Sequence, residues 1–210
     1  MGKIVVSTNV TLDGVVQDPT GEEGFRYGGW FAQVGSNDRE GFASCALDEA
    51  LGAEAFLVGR RTYEYLASRW PSRSGELADR LNGMSKYVVS STLHDPAWNN
   101  TTVITGSAVR EVTRLKQHVQ GEIVVPGSRT LVRTLIEHDL VDELRLLVYP
   151  FVLGAGERLF GESDHKQSLH LLDNRTVGDG LAYVTYEVAG TGWSTAGDST
   201  ARAMSTPYRG

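Results

Sequence analysis

Apolar residues along this chain follow two rhythms. In Phe56–Val58, Tyr87–Val89 and Ile123–Val125 they succeed one another without polar alternation, as suits strands buried on both faces. Strands are predicted over Lys3–Val10, Glu54–Val58, Lys86–Ser90, Thr101–Ile104, Glu122–Val125 and Asp142–Tyr149, then Gln167–Val177 and Leu181–Val188. Between them the spacing turns helical. Ser107 can cap a helix whose apolar stripe is Val109, Val112, Leu115, Lys116 and Val119; Ser128 can cap another with Leu131, Val132, Leu135 and Ile136 inward. Asn37–Leu51, ended by Gly52, and Glu76–Asn82, ended by Gly83, complete the helices. Strand and helix alternate up to Tyr149, and only strands follow, with Gly178-Asp179-Gly180 as a turn. That order predicts an α/β fold: a mostly parallel central sheet, helices flanking it in three layers, and an antiparallel C-terminal edge hairpin. Thr191–Gly210 has neither period, so the domain is expected to span residues 1–190, with 191–210 a flexible tail that Trp193 and Tyr208 could pin to a surface.

Composition narrows the function. The chain has 210 residues, enough for one domain with a substantial core. A formal charge of −6 disfavours general nucleic-acid binding, which needs a basic stripe to displace counterions. The longest apolar run, Leu146–Ala155, is too short to span a bilayer and is broken by Pro150 and Gly154. Met1–Val10 lacks the charged and apolar regions of a signal peptide. Cys45 is the sole cysteine, so no intramolecular disulfide can form. A cytoplasmic protein is expected, with no membrane or nucleic-acid partner.

Several chemistries are struck out by the residues. His94, His118, His138, His165 and His170 form no metal-binding spacing, and one cysteine cannot supply a cysteine-rich zinc site. Gly161-Glu162-Ser163-Asp164-His165 lacks the second glycine of a nucleophile elbow, leaving a serine hydrolase at Ser163 as a weak reading. No Walker loop or complete dinucleotide fingerprint is present. Phosphate chemistry does find candidates. Gly59-Arg60-Arg61-Thr62 follows a buried strand and opens a helix, whose N-terminal dipole repels cations unless an anion sits between them. A surface turn with solvated arginines is the alternative. Ser90-Ser91-Thr92 and Pro126-Gly127-Ser128 end two further strands, and each could be a phosphate loop or only a turn. All three fall at the same end of one parallel sheet, where α/β proteins bind ligands.

At this point the chain resembles a known family. Thr11-Leu12-Asp13-Gly14, Gly59-Arg60-Arg61-Thr62-Tyr63-Glu64, Gly127-Ser128, Leu140-Val141-Asp142-Glu143-Leu144 and Pro150–Gly156 follow in the order seen in the dihydrofolate-reductase-like family. That family includes the reductase domain of the bifunctional riboflavin-biosynthesis deaminase-reductase. Phe25–Trp30 looks like a subgroup of stand-alone bacterial members. The resemblance covers roughly Lys3 to Val188 and implies NADPH as cofactor. It places the 2′-phosphate and neighbouring phosphates on Gly59, Arg60, Arg61 and Thr62, closed by Ser90 and Ser91. Gly127 and Ser128 meet the pyrophosphate, Asp13 and Gly14 lie near the nicotinamide, and Leu153 and Gly154 near the ligand cleft. Family members commonly pair as homodimers. Pro126 and Ser128 flank one glycine where relatives often carry two, and the tail lies outside the pattern.

Reduction of a C=N or C=O bond also needs a proton. Asp38 and Asp13 are the candidates, although Asp38 also suits a carboxylate favoured by a helix N-terminus. Tyr27 and Trp30 could stack on a flat small-molecule substrate, or Trp30 could plug the core. Beside the reductase stands a second reading, a module that binds NADPH as a sensor or partner domain without turnover.

Overall fold

The computed structural model describes residues 1–161 and 166–189. Eight strands form one sheet in the order β4-β3-β2-β5-β1-β6-β8-β7. They are β1 (Lys3–Thr11), β2 (Ala53–Gly59), β3 (Ser85–Val89), β4 (Thr101–Ile104), β5 (Glu122–Pro126), β6 (Glu143–Tyr149), β7 (Ser168–Val177) and β8 (Leu181–Ala189). The first six pair in parallel, and β8 runs antiparallel to both β6 and β7. The expected edge hairpin is therefore present, with β8 inside and β7 outermost. The helices are α1 (Ser36–Gly52), α2 (Arg60–Ala67), α3 (Glu76–Gly83), α4 (Ala108–His118) and α5 (Arg129–Glu137).

Unbroken apolar runs do become strands buried on both faces. In β1, Ile4 and Val6 pack with Val112, Leu115, Leu131 and Leu135 of α4 and α5, while Val5 faces the opposite core with Phe56, Tyr63 and Leu81. Past β1 on that second face lies a third cluster of Trp30, Leu147, Tyr149, Val177 and Leu181. Between the second and third clusters the sheet presents polar side chains. Ser7 and Asn9 stay half-buried in the central strand, where full burial is the norm.

Helix ends differ from expectation in two places. Ser107 caps α4 by accepting the Arg110 N–H, as its position predicts. Ser128 precedes α5, but its side chain makes no cap bond, because the residue sits at φ 66°, ψ 61° and points elsewhere. Gly52 and Gly83 end α1 and α3 inside the helices, and extended Ala53 and Met84 follow in place of a left-handed glycine cap. Among the described residues no helix is long and apolar enough to cross a membrane, and no group of three or more His, Cys, Asp or Glu could hold a metal ion.

Candidate functional site

Parallel strands bring their C-terminal ends to one edge, and the loops that leave this edge build the site. The loop after β5 reverses sharply: Gly127 and Ser128 both take left-handed backbone, at φ 74° and 66°. Only glycine adopts this freely, so Ser128 is held there by its bonds. Its Oγ accepts the Gly59 N–H at 2.8 Å and donates to Thr62 Oγ1 at 2.7 Å. One hydroxyl thus ties the turn after β5 to the start of α2. The Gly127 N–H donates to the Ser7 carbonyl at 3.1 Å, which fastens the turn to β1. A Cβ built on Gly127 meets nothing within 4 Å. The loop is therefore glycine for its backbone, and open space lies beside it.

Arg60 and Arg61 separate in role. Arg60 Nε pairs with Glu64 at 2.7 Å, and its Nη1 donates to Thr92 Oγ1 at 2.6 Å, bridging α2 to the loop after β3. Arg61 is exposed and has no ion-pair or hydrogen-bond partner among the described residues. A cation left open at a helix N-terminus is opposed by the helix dipole, and a bound anion relieves the conflict. Ser90 is buried, and its Oγ accepts the N–H groups of Thr92 and Leu93 at 3.2 and 3.0 Å, while Ser91 beside it is exposed. Ser90 shapes the turn that presents Thr92 to Arg60.

Asp13 holds the opposite wall together. It accepts hydrogen bonds from Thr11 Oγ1 at 2.7 Å, the Gly154 N–H at 2.9 Å and the Leu153 N–H at 3.3 Å. Burial acts to raise its pKa, but these bonds together outweigh it and hold the carboxyl below its ordinary value. Gly14 turns at φ 85° and accepts the Leu159 N–H through its carbonyl. Asp13, Gly14, Leu153 and Gly154 are therefore brought together as one braced pair of loops, consistent with a rim beside the phosphate-suited turns.

Asp38 occupies the first turn of α1. It accepts the Gly35 N–H at 3.2 Å and, across the sheet edge, the N–H groups of Asp179 and Gly180 at 2.8 and 2.9 Å. The Gly180 bond, with those from Asp179 and Gly35, holds its pKa below the ordinary value despite burial. This geometry fits the helix-start role. Trp30 is 1% exposed, donates from Nε1 to the Gln17 carbonyl at 3.0 Å and meets Tyr149 edge-on at a centroid distance of 5.1 Å. It plugs the core, the second of the two roles its position allowed, and does not offer a stacking face. Tyr27 is 42% exposed with Arg26 over its ring, on a loop that Asp18 pins by accepting the Glu23 and Phe25 N–H groups. Ser163, Trp193 and Tyr208 lie outside the described residues.

The pattern of the sequence missed a polar row beneath α1. Arg145 of β6 binds Glu122 through two nitrogens at 2.8 and 2.7 Å, bonds Glu143 at 2.6 Å and lies 3.8 Å from Glu49 of α1. Polar and charged residues interrupting otherwise apolar strands, Ser7 and Asn9 in β1 and Arg145 in β6, were the available signal.

Comparisons with known proteins agree with this architecture. The RibD C-terminal domain family matches residues 2–183. The Bacillus subtilis (strain 168) protein YyaP is 26% identical over 196 residues, covering 88% of this chain and 94% of that protein. A structure described as a putative riboflavin biosynthesis protein from Shewanella sp. PV-4 superposes with a TM-score of 0.68 at 20% identity, over 89% of this chain and 99% of that one. A pyrimidine reductase-like protein from Corynebacterium diphtheriae follows, with a TM-score of 0.63, 16% identity and coverage of 90% and 92%. At these identities the two structures speak for the fold.

Proposed function

The chain belongs to the RibD C-terminal domain family, a reductase-related family, and from that premise we propose that it is an NADPH-dependent reductase. Its reaction is hydride transfer to a C=N or C=O bond of a small heterocyclic or ribosylaminopyrimidine-like substrate. The observation that carries the proposal is the Ser128 knot, which joins two phosphate-suited helix starts at the sheet edge.

The residues suit the cofactor. Arg61 offers an unpaired cation for the 2′-phosphate beside Arg60 and Thr62, and Gly127 offers backbone with open space for pyrophosphate. Bound NADPH would supply the hydride. The chain's own part is to hold the phosphates, to brace the rim through Asp13, and to present Tyr27 where a flat ring can stack. Asp13 and Asp38 accept several hydrogen bonds each, and those bonds lower their carboxyl pKa, so on this reading both serve as bracing carboxylates. The same commitment favours the second reading, a cofactor-binding module without turnover. A metabolite screen followed by NADPH absorbance separates the two. Substrate-dependent oxidation supports the reductase, while NADPH binding with no acceptor across the screen supports the module.

We also propose that the protein works in the cytoplasm and pairs as a homodimer. Exposed Leu169, Leu171 and Leu172 on outermost β7 are apolar side chains that pairing would cover.

A further inference from the structure

The floor of the site holds a polar side chain to which no described residue is bonded, the amide of Asn9. Asn9 lies in central strand β1, midway between the two halves of the site. Two residues before it, the Ser7 carbonyl fastens the Gly127 turn; two residues after it, Thr11 Oγ1 donates to Asp13. Two residues of strand span roughly 7 Å, so Asn9 is close to both halves. Pairing with β5 stops at Ser7 and Pro126, whereas pairing with β6 runs on to Thr11 and Tyr149. Asn9 therefore has a neighbouring strand on its β6 side only. Alternation from Val5 puts Ser7, Asn9 and Thr11 on one face of the sheet. On that face Leu147, the register partner of Asn9, packs with Trp30 and Tyr149.

This position suits an apolar side chain, and it holds an amide. Strands inside parallel sheets are apolar almost throughout, and asparagine is depleted in strands. Asn9 is half-buried, and a polar group withdrawn from water and left unpaired is destabilising, so its presence is explained by something that it binds. The polar residues around it are already committed. Asp13 accepts from Thr11, Leu153 and Gly154, and Arg145 binds Glu122 and Glu143. What Asn9 leaves open on the floor is neutral: a carbonyl acceptor and an NH2 donor side by side in one plane.

We propose, on the reductase reading above, that Asn9 selects the substrate by pairing with a neutral ring edge in which an N–H stands beside a C=O. The amide oxygen accepts the ring N–H, and the amide NH2 donates to the ring carbonyl. Two parallel bonds fix the ring's plane and its rotation on the floor. A ring without the N–H leaves the amide oxygen unpaired, and a carboxylate sets an acceptor against it, so both are rejected. Asn9 holds the ring and takes no part in hydride or proton transfer.

The test uses the full chain, labelled with nitrogen-15 and saturated with NADPH. The Asn9 side-chain NH2 signals are identified by their loss in Asn9→Ala. 2-Pyridone, a flat ring with an N–H beside a C=O, should move those signals. N-methyl-2-pyridone, which lacks the donor, should not. Asn9→Ala should weaken 2-pyridone about tenfold and leave NADPH affinity unchanged, which also shows that the variant folds. Asn9→Asp, similar in size but without the NH2 donor, should weaken it comparably. With the acceptor that the NADPH screen yields, Asn9→Ala should raise KM about tenfold with a smaller change in kcat. Signals unmoved by 2-pyridone, equal movement by both pyridones, or unchanged 2-pyridone affinity in Asn9→Ala overturns the proposal, while NADPH oxidation by an acceptor still stands. A chain that binds no NADPH overturns the reductase reading, and the response of the Asn9 signals to 2-pyridone without cofactor then decides whether Asn9 reads a ring.

Discussion

At the scale of single residues, the site hangs on one serine in an unusual backbone state. Ser128 to Ala leaves the Gly59 N–H without its acceptor and releases Thr62. Urea unfolding should show a loss of about 1–3 kcal/mol, and NADPH should bind more weakly. Gly127→Val should fold, because nothing crowds its Cβ, yet bind NADPH poorly, since a β-branched residue at φ 74° strains or reshapes the loop. Normal binding by that variant would reduce the loop to a turn. Of the arginine pair, Arg61 should matter more for the 2′-phosphate. A charge-assisted hydrogen bond contributes about 1.5–3 kcal/mol, so Arg61→Ala should weaken NADPH about ten- to a hundredfold and spare NADH. Arg60→Ala should weaken it less, because Glu64 already offsets that charge. The sequence shows which residue types stand at the edge, and Gly59, Arg61 and Gly127 were legible as phosphate-suited. It does not show φ, so Ser128 reads as a cap when its left-handed backbone aims Oγ at Gly59. Nor does it show depth, so the choice between ligand stacking and core packing for Trp30 stays open until its burial is seen.

Among the elements, α1 shows what a pattern can and cannot carry. Its existence and ends are legible within a residue or so, Ser36–Gly52 against Asn37–Leu51. Its inner face is harder to read, because Asp38 and Glu49 bracket Phe42 and Cys45 and a polar residue facing a sheet looks like a solvated one. Asp38 joins α1 to the β7–β8 turn through the Asp179 and Gly180 N–H groups, which predicts a pH signature. Its folded-state pKa lies below the unfolded value, so its stabilisation is present above that unfolded value and is lost as pH falls through the folded one. Asp38→Asn should lower the Tm at pH 7, and the gap to wild type should close in acid. A gap that stays constant down to pH 3 would show the carboxylate charge to be irrelevant. The strands were legible because their apolar runs serve two faces at once, and the cost of that rule is the polar row of Ser7, Arg145 and Glu122, which breaks it.

For the whole molecule, the parallel sheet matters because it collects separate loops at one edge, while the helices pack on its two faces. The order of elements made this architecture readable. That Arg145 comes beside Ser7, and Glu49 of α1 beside Arg145, depends on register between distant strands, which no local pattern encodes. Residues 191–210 lie beyond the family match to residue 183, and deleting them should leave NADPH affinity intact; loss of binding would place them in the site. Homodimer formation predicts a light-scattering mass twice that of the chain, and a monomer at micromolar concentration would contradict it. If the Ser128-knotted edge recognises the phosphates of NADPH, titration of the unmodified protein with NADPH and NADH shows it most directly. NADPH should bind about ten- to a hundredfold more tightly. Equal affinities, or binding of neither, would contradict it.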